Sequence, residues 1–376
     1  MGQPSEKLAA PTMPVQSSPL AAPQGSLNQL GTGPVRVGLI LPLTQAGGPS
    51  VVGASLRNAA ELAISESGGT DITLLIKDDG SSPQGAAAAT QAALNEGAEL
   101  ILGPLIAGDV RASAQVARTA GRPEIAFSTD KTVASQGVYL LSFLVESDVD
   151  RVVDYAAAHG KTSFAALIPD NQYGNVAAAE FQERAAARGI RIQTLERYSP
   201  ATLGSAIEKV AQVKDQINGL FLPEQANAVG NVARLLNQSG VDTRKVQIVG
   251  TGLWNDARVM SAPAMQGAWF AAPDNSGFND FAQRYRARFH ADPTRIATLT
   301  YDAVTLSAAL ARTQGAQRFS EAVLTNSAGF NGADGVFRFR PNGMNERGLA
   351  VLQISNGSAR TISPAPRSFS AQSASR

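Results

Sequence analysis

The sequence predicts an α/β protein made of two doubly wound, mainly parallel-sheet halves. Three observations predict it. A chain of 376 residues exceeds what one simple core fills, at roughly 100–200 residues per domain. Short continuous apolar runs alternate with amphipathic helical patterns from Val35 to about Gly357, and strands of that kind belong to sheets covered on both faces. The alternation restarts after about residue 150, which supplies the second half.

The elements follow in order. Residues 1–33 carry Pro4, Pro11, Pro14, Pro19 and Pro23 among Ala, Gln, Ser and Gly, a composition that cannot bury enough apolar area to offset its chain entropy. They predict a flexible leader, of the kind that tethers lipoproteins to membranes and equally of the kind found at disordered chain ends. The leader lacks the hydrophobic core of a signal peptide, and no apolar run approaches the ~18 residues of a membrane span. Val35-Arg-Val-Gly-Leu-Ile-Leu41 is a buried strand, followed by a turn with Pro42, Thr44, Gly47 and Gly48 and a helix over Val52–Ile64. That turn holds no basic residue, so it brings backbone amides to a ligand without the lysine of a nucleotide loop.

Ile72–Ile76 is the next strand, and Asp78-Asp79-Gly80 after it reads as turn and cap chemistry in preference to a metal site. Ser82 caps a helix that has Pro83 at its first position, runs to Leu94 and stops at Gly97. Further strands are Glu99–Gly103, Glu124–Ser128, Ser163–Ile168, Ile190–Leu195, Gly219–Leu222 and Val246–Gly250. Val229, Val232, Ala233 and Leu236 form one helix face, ended by Gly240. Phe278, Phe281, Tyr285 and Phe289 form another, as do Leu299, Ala303, Leu306 and Leu310. From Ser363 to Arg376 the chain is polar and reads as a loose tail.

Composition narrows the function. The formal charge is +1 with no basic run of five or more, which argues against nucleic acid. The chain has no cysteine, which excludes disulfides, thiolate metal sites and a cysteine nucleophile. Gly31-Thr32-Gly33 precedes its strand and Gly250-Thr251-Gly252 lacks a third glycine at the needed spacing, so neither is a dinucleotide fingerprint. His159 and His290 sit at helix ends, where they compensate a dipole or are solvated. The reading is a binder without cofactor or metal, not an enzyme. Its ligand crevice lies outside the carboxyl ends of the strands, at Pro42–Gly48, Gly103–Gly108, Ser128–Thr132, Pro169–Gly174, Leu222–Gln225 and Gly250–Asn255.

The ordered segments VRVGLILPLT, LLIKDDGSSPQGAAAATQAAL, GAELILGPL, RPEIAFSTD, DNQYGN, YDAVTLSAAL and FNGADGVFRFRPNGMNERGLAVLQIS resemble the type I periplasmic solute-binding proteins of the branched-chain amino-acid receptor class, from Val35 to about Ser355. The resemblance implies two Rossmann-like lobes joined by three crossovers near Leu141–Asp148, Ala271–Asn275 and Ala328–Val336, with a ligand in the cleft and closure by hinge motion. The first lobe is then 34–145 plus 273–330, the second 146–272 plus 331–360, and the tail 361–376. It implies a periplasmic protein, lipid-tethered before processing or free, that hands a small solute to the membrane subunits of an ABC-type importer. The alternative is a lipoprotein that activates a peptidoglycan synthase by contact with a penicillin-binding protein, which the Pro-rich leader also resembles.

The same resemblance points to cleft residues. The helix opening at about Gly108, after Leu105 and Ala107, offers free amides to an anion, but the serine hydroxyl with which family receptors hold a carboxylate is missing there. Ser128 and Thr129 fall where the family places further donors; a helix cap is the competing role. Tyr173 matches a cleft tyrosine, with a core tyrosine as the alternative. Glu224 and Gln225 lie near a second family tyrosine that this chain does not keep. At Thr251 and Gly252 the acid that pairs with a ligand ammonium is absent. Trp254 is a stacking face or simple packing.

Overall fold

The computed structural model describes residues 28–369. In chain order the strands are β1 Gln29–Leu30, β2 Val35–Leu41, β3 Thr44–Gln45, β4 Gly48–Pro49, β5 Ile72–Asp78, β6 Leu100–Leu102, β7 Glu124–Ala126, β8 Val138–Leu140, β9 Ser163–Pro169, β10 Arg191–Tyr198, β11 Gly219–Phe221, β12 Gln247–Gly250, β13 Trp269–Ala272, β14 Phe330–Gly332, β15 Gly335–Phe339, β16 Asn345–Arg347, β17 Ala350–Ser355 and β18 Ser358–Ser363. The helices are α1 Val51–Glu66, α2 Pro83–Asn95, α3 Ala107–Thr119, α4 Val145–Ala158, α5 Gln172–Ala187, α6 Leu203–Gln212, α7 Val229–Gln238, α8 Ala257–Met260, α9 Asn275–Phe289, α10 Ala297–Thr313 and α11 Glu321–Leu324.

Two sheets carry the fold. The first runs β1-β5-β2-β6-β7-β8 and the second β10-β9-β11-β12-β13-β17-β18. Pairing is parallel except at β1 on the first sheet and at β17 and β18 on the second. Both faces of each sheet are buried, as the continuous apolar runs require. On the first sheet Leu39, Leu74 and Leu102 pack with Leu299 and Val304 of α10, while Ile40, Leu75 and Ile101 pack with Ala89 and Ala93 of α2. On the second, Leu220 and Phe270 face Val232 and Leu236, and Phe164 and Val249 face Val152 and Phe181.

The helix starts are legible chemistry. Ser82 accepts from the Gly85 amide at 3.1 Å with Pro83 at the first position, and Asn171 accepts from Gly174 at 2.8 Å.

Three expectations change. The end of the leader is an edge strand, because β1 adds antiparallel to β5 through Gln29 and Leu30; residues 1–27 lie outside the described residues. The third crossing between the sheets falls at 347–349 instead of 328–336. Phe337 and Phe339 of the small sheet β14-β15-β16 are buried in the first core, so the residues before 347 stay with the first sheet. The supposed loose tail is ordered through 369: β18 pairs with β17 up to Ser363, and Phe369 is buried. Residues 370–376 lie outside the described residues.

The hinge is a stack of charged and aromatic groups. Phe143, on the first crossing, has the Arg295 guanidinium 4.6 Å and the Arg347 guanidinium 4.7 Å from its ring centroid. Arg295 makes a paired contact with Asp334 at 3.0 and 2.6 Å, and Arg347 Nε donates to the Ser142 carbonyl at 3.0 Å. Burial pulls the Arg347 guanidinium below its ordinary value, though Asp334 and Asp302 oppose it, and burial pushes the Asp302 carboxyl up to about 7.

Candidate functional site

Two crossings leave their sheets at a carboxyl end, from β8 into α4 and from β13 into α9, so these ends of both sheets lie at the hinge. Lys131, just beyond the β7 end, reaches Glu146 in the first turn of α4 at 3.4 Å and Glu180 midway along α5 at 3.9 Å, so the loop after β7 stands beside α4 and α5 of the second lobe.

On the first wall, the turn after β2 is built around Asp78. Its carboxylate accepts from the amides of Leu43 and Thr44 at 3.0 and 3.1 Å and from Thr44 Oγ1 at 2.6 Å. Partial burial raises its pKa, but these bonds and one from Gly80 outweigh burial and hold the carboxyl below its ordinary range. The Asp-Asp-Gly stretch is thus turn chemistry. The turn delivers Val51, at the start of α1, to solvent with 79 % of its surface exposed. After β6, Leu105, Ala107 and Gly108 are partly buried around exposed Ile106, and α3 opens at Ala107 without a side-chain cap. Asp109 in its first turn is buried, with its carboxyl pushed up by burial, and one of its oxygens has no hydrogen-bond partner. That acid works against an anion at the α3 amides.

Ser128 and Thr129 separate. Ser128 is buried and its Oγ accepts from the Asp130 amide at 3.1 Å, which shapes the loop. The cap of the following 3-10 turn is Asp130, which accepts from Thr132 at 2.9 Å. Thr129 is exposed. The β6 and β7 loops are tied together by the Phe127 amide donating to Pro104 at 2.9 Å.

On the second wall, Tyr173 and Thr251 come together although 78 residues separate them. Their hydroxyl oxygens are 2.5 Å apart. Burial lifts the Tyr173 phenol above its ordinary value, so it stays a neutral hydroxyl that donates or accepts. Beside them the Gly252 amide donates to Asp148 Oδ2 at 2.9 Å. Asp148 sits in the first turn of α4 and keeps part of its surface in solvent, yet it lies deep in the protein volume. That crowding pushes its carboxyl up to about 7, with the Gly252 bond opposing, Glu146 adding to the rise, and Arg295 and Arg347 opposing. Composition and motif reading missed this residue: the loop at 251–256 lacks an acid of its own at the expected place, and α4 supplies one from the other side of the second sheet. The signal was the acidic first turn of α4, Glu146 and Asp148, but only the fold shows which loop it meets.

Two expected contacts become packing. Trp254 has no exposed surface, and its ring lies over Gly250, where a Cβ would fall 2.2 Å from the indole. Its Nε1 donates to the Glu224 carbonyl at 3.2 Å, so it offers no face to a ligand. Glu224 is buried and its carboxylate is taken up by the Tyr198 hydroxyl and by the Gln225 amide at 2.6 Å. Gln225 is exposed. Leu253, beside Trp254, is instead 37 % exposed.

A cavity of about 560 Å³ lies on the hinge side, between α4, α5, β16 and residues 364–369, with Lys131, Glu146 and Glu180 in its lining.

The sequence profile of the periplasmic binding protein family matches residues 34–359. No curated protein matches the sequence. Among solved structures, the fold is similar to a putative branched-chain amino acid ABC transporter protein from Rhodospirillum rubrum, with a TM-score of 0.78 at 19% identity over 87% of this chain and 99% of that one. It is also similar to a solute-binding protein of an ABC transporter from Rhodopseudomonas palustris in complex with 3,4-dihydroxybenzoic acid, with a TM-score of 0.62 at 23% identity over 89% and 97%. A third is an ABC transporter substrate-binding protein from Desulfitobacterium hafniense in complex with Leu, with a TM-score of 0.63 at 20% identity over 88% and 100%. At these identities the structures establish the fold.

Proposed function

The chain belongs to the periplasmic binding protein family, and on that premise we propose that it captures a small organic solute between its two lobes, outside the cytoplasm, and presents it to an ABC-type importer. The observation that carries this reading is the placement of exposed apolar surface. Among the described residues the exposed large hydrophobic side chains are Val51, Ile106 and Leu253, and all three lie at the carboxyl ends of strands, two on one wall and one on the other. Exposed apolar groups gathered in a crevice, with a few convergent polar groups, are the chemistry of a small-molecule site.

The polar groups set the ligand's orientation. The Tyr173–Thr251 hydroxyl pair and the Asp148 carboxyl suit a ligand with an apolar body and one hydrogen-bonding end. Thr129, Gln225 and the α3 start at Leu105–Gly108 are the remaining proposed contacts; Ser128 supports them through its loop. The solved relatives with Leu and with 3,4-dihydroxybenzoic acid have ligands of that general make-up, which supports the class and leaves the identity to experiment. Closure is driven by a ligand that touches both walls, because only preference for the closed arrangement shifts the population.

The test is a thermal-shift screen against amino acids, aromatic acids and small peptides. A solute at ~100 times its Kd stabilises the fold by about 2.7 kcal/mol. Tyr173→Phe and Asp148→Asn should each weaken the strongest hit by roughly 3- to 10-fold, the net value of one hydrogen bond. No shift across the library contradicts the proposal.

A further inference from the structure

We infer that residues 364–369 form a releasable strap that ties the second lobe to the first across the hinge and holds the lobes at the angle seen here. The three crossings at 141–144, 272–275 and 347–349 are continuous chain on both sides. The fourth crossing is different, because it is held only by what it docks against.

The strap starts on the second sheet. β18 pairs with β17, and Arg151 of α4 anchors its end by donating to Ser363 Oγ at 2.7 Å and to the Leu349 carbonyl at 2.9 Å. Pro364 and Pro366 then stiffen a short linker by fixing φ and limiting its bending. The strap ends on the small sheet of the first lobe. Phe369 is 1 % exposed, with the Arg338 guanidinium carbon 4.5 Å from its ring centroid. Its seat is shaped for a ring: at Gly329, which has φ +74°, a Cβ would fall 2.8 Å from the Phe369 ring, so any side chain there would collide with it. Arg338 is itself held over the ring by Glu346 at 2.8 Å and the Ser327 carbonyl at 3.0 Å.

Pro366 packs against Gly348 on the way, and the strap's buried anchor in the first lobe is Phe369, a side chain that can leave its seat with no covalent change. Undocking removes a tie between the lobes that the three continuous crossings do not replace and widens the range of lobe angles. The inference concerns the two-lobe frame and does not rest on the ligand proposal.

The experiment measures lobe separation without any ligand. The chain has no native cysteine, so spin labels at Gln45→Cys on the first wall and Gln172→Cys on the second report only the chosen pair. Distance distributions are compared for the full chain, for Phe369→Ala and for a chain ending at Ser363, with circular dichroism melts to confirm that each is folded. The strap predicts a broadened or displaced distribution in both variants, in the same sense. Distributions that coincide with that of the full chain, or a lowered melting temperature with the lobes unmoved, overturn it.

Discussion

Trp254→Ala removes an indole that has no exposed surface and bonds to the Glu224 carbonyl, so it is expected to cost about 3–5 kcal/mol in urea unfolding. A Trp that served a ligand instead would lose affinity with little loss of stability. Glu124 tests the buried carboxyls. Burial pushes it up to about 8 against the hydrogen bond from Ser113 and the charge of Arg118, so the fold prefers its protonated form. The stability gained from that preference is complete below the ordinary value of 4.5 and is lost as pH rises through about 8. Asp79, at about 6, and Asp148 and Asp302, at about 7, act in the same sense. The melting temperature should fall from pH 5 to 8.5, and Glu124→Gln should flatten the slope; an unchanged slope contradicts the assignment. Tyr173 and Thr251 were legible in the sequence as separate candidates. Asp148 was not, because it meets Gly252 across 104 residues and only the folded sheet brings the two together.

Most strands of the two main sheets were legible, including the three-residue β6, β7 and β11, whereas β8, β13 and the small sheet were not. The cap at Ser82 and the runs of β2, β5 and β9 declare themselves through hydrogen-bond chemistry and continuous burial. β8 and β13 each run directly into a crossing between the sheets, so no turn signal marks their ends, and β14–β16 lie in a stretch broken by Gly and Asn. That stretch misled the third crossing: its Phe337 and Phe339 alternate like a strand, but nothing local says which core they enter. At this scale Asn171→Ala should cost about 1 kcal/mol through the lost cap of α5. Because α5 carries Tyr173 in its first turn, ligand affinity should fall in the same variant, and a stability loss with unchanged affinity would detach Tyr173 from the site.

At the scale of the molecule, two sheets covered on both faces meet at a hinge of stacked charges, where the carboxyl ends of β8 and β13 lead into the crossings. The restart of the βα alternation made the two halves readable from the sequence. The partition of residues 331–347 did not follow from it. No helix among the described residues is long and apolar enough to cross a membrane. What ties the molecule to its proposed task is that exposed Val51, Ile106 and Leu253 lie at strand ends, the same kind of position that holds the Tyr173–Thr251–Asp148 group. The direct measurement is a crystal structure with the strongest hit of the thermal-shift screen. The account predicts the solute between the lobes, its apolar body against Ile106 or Leu253 and its polar end within hydrogen-bond distance of Tyr173, Thr251 or Asp148. A solute seated instead in the hinge-side cavity beside Glu146 and Arg347, with the strand-end walls empty, would contradict it.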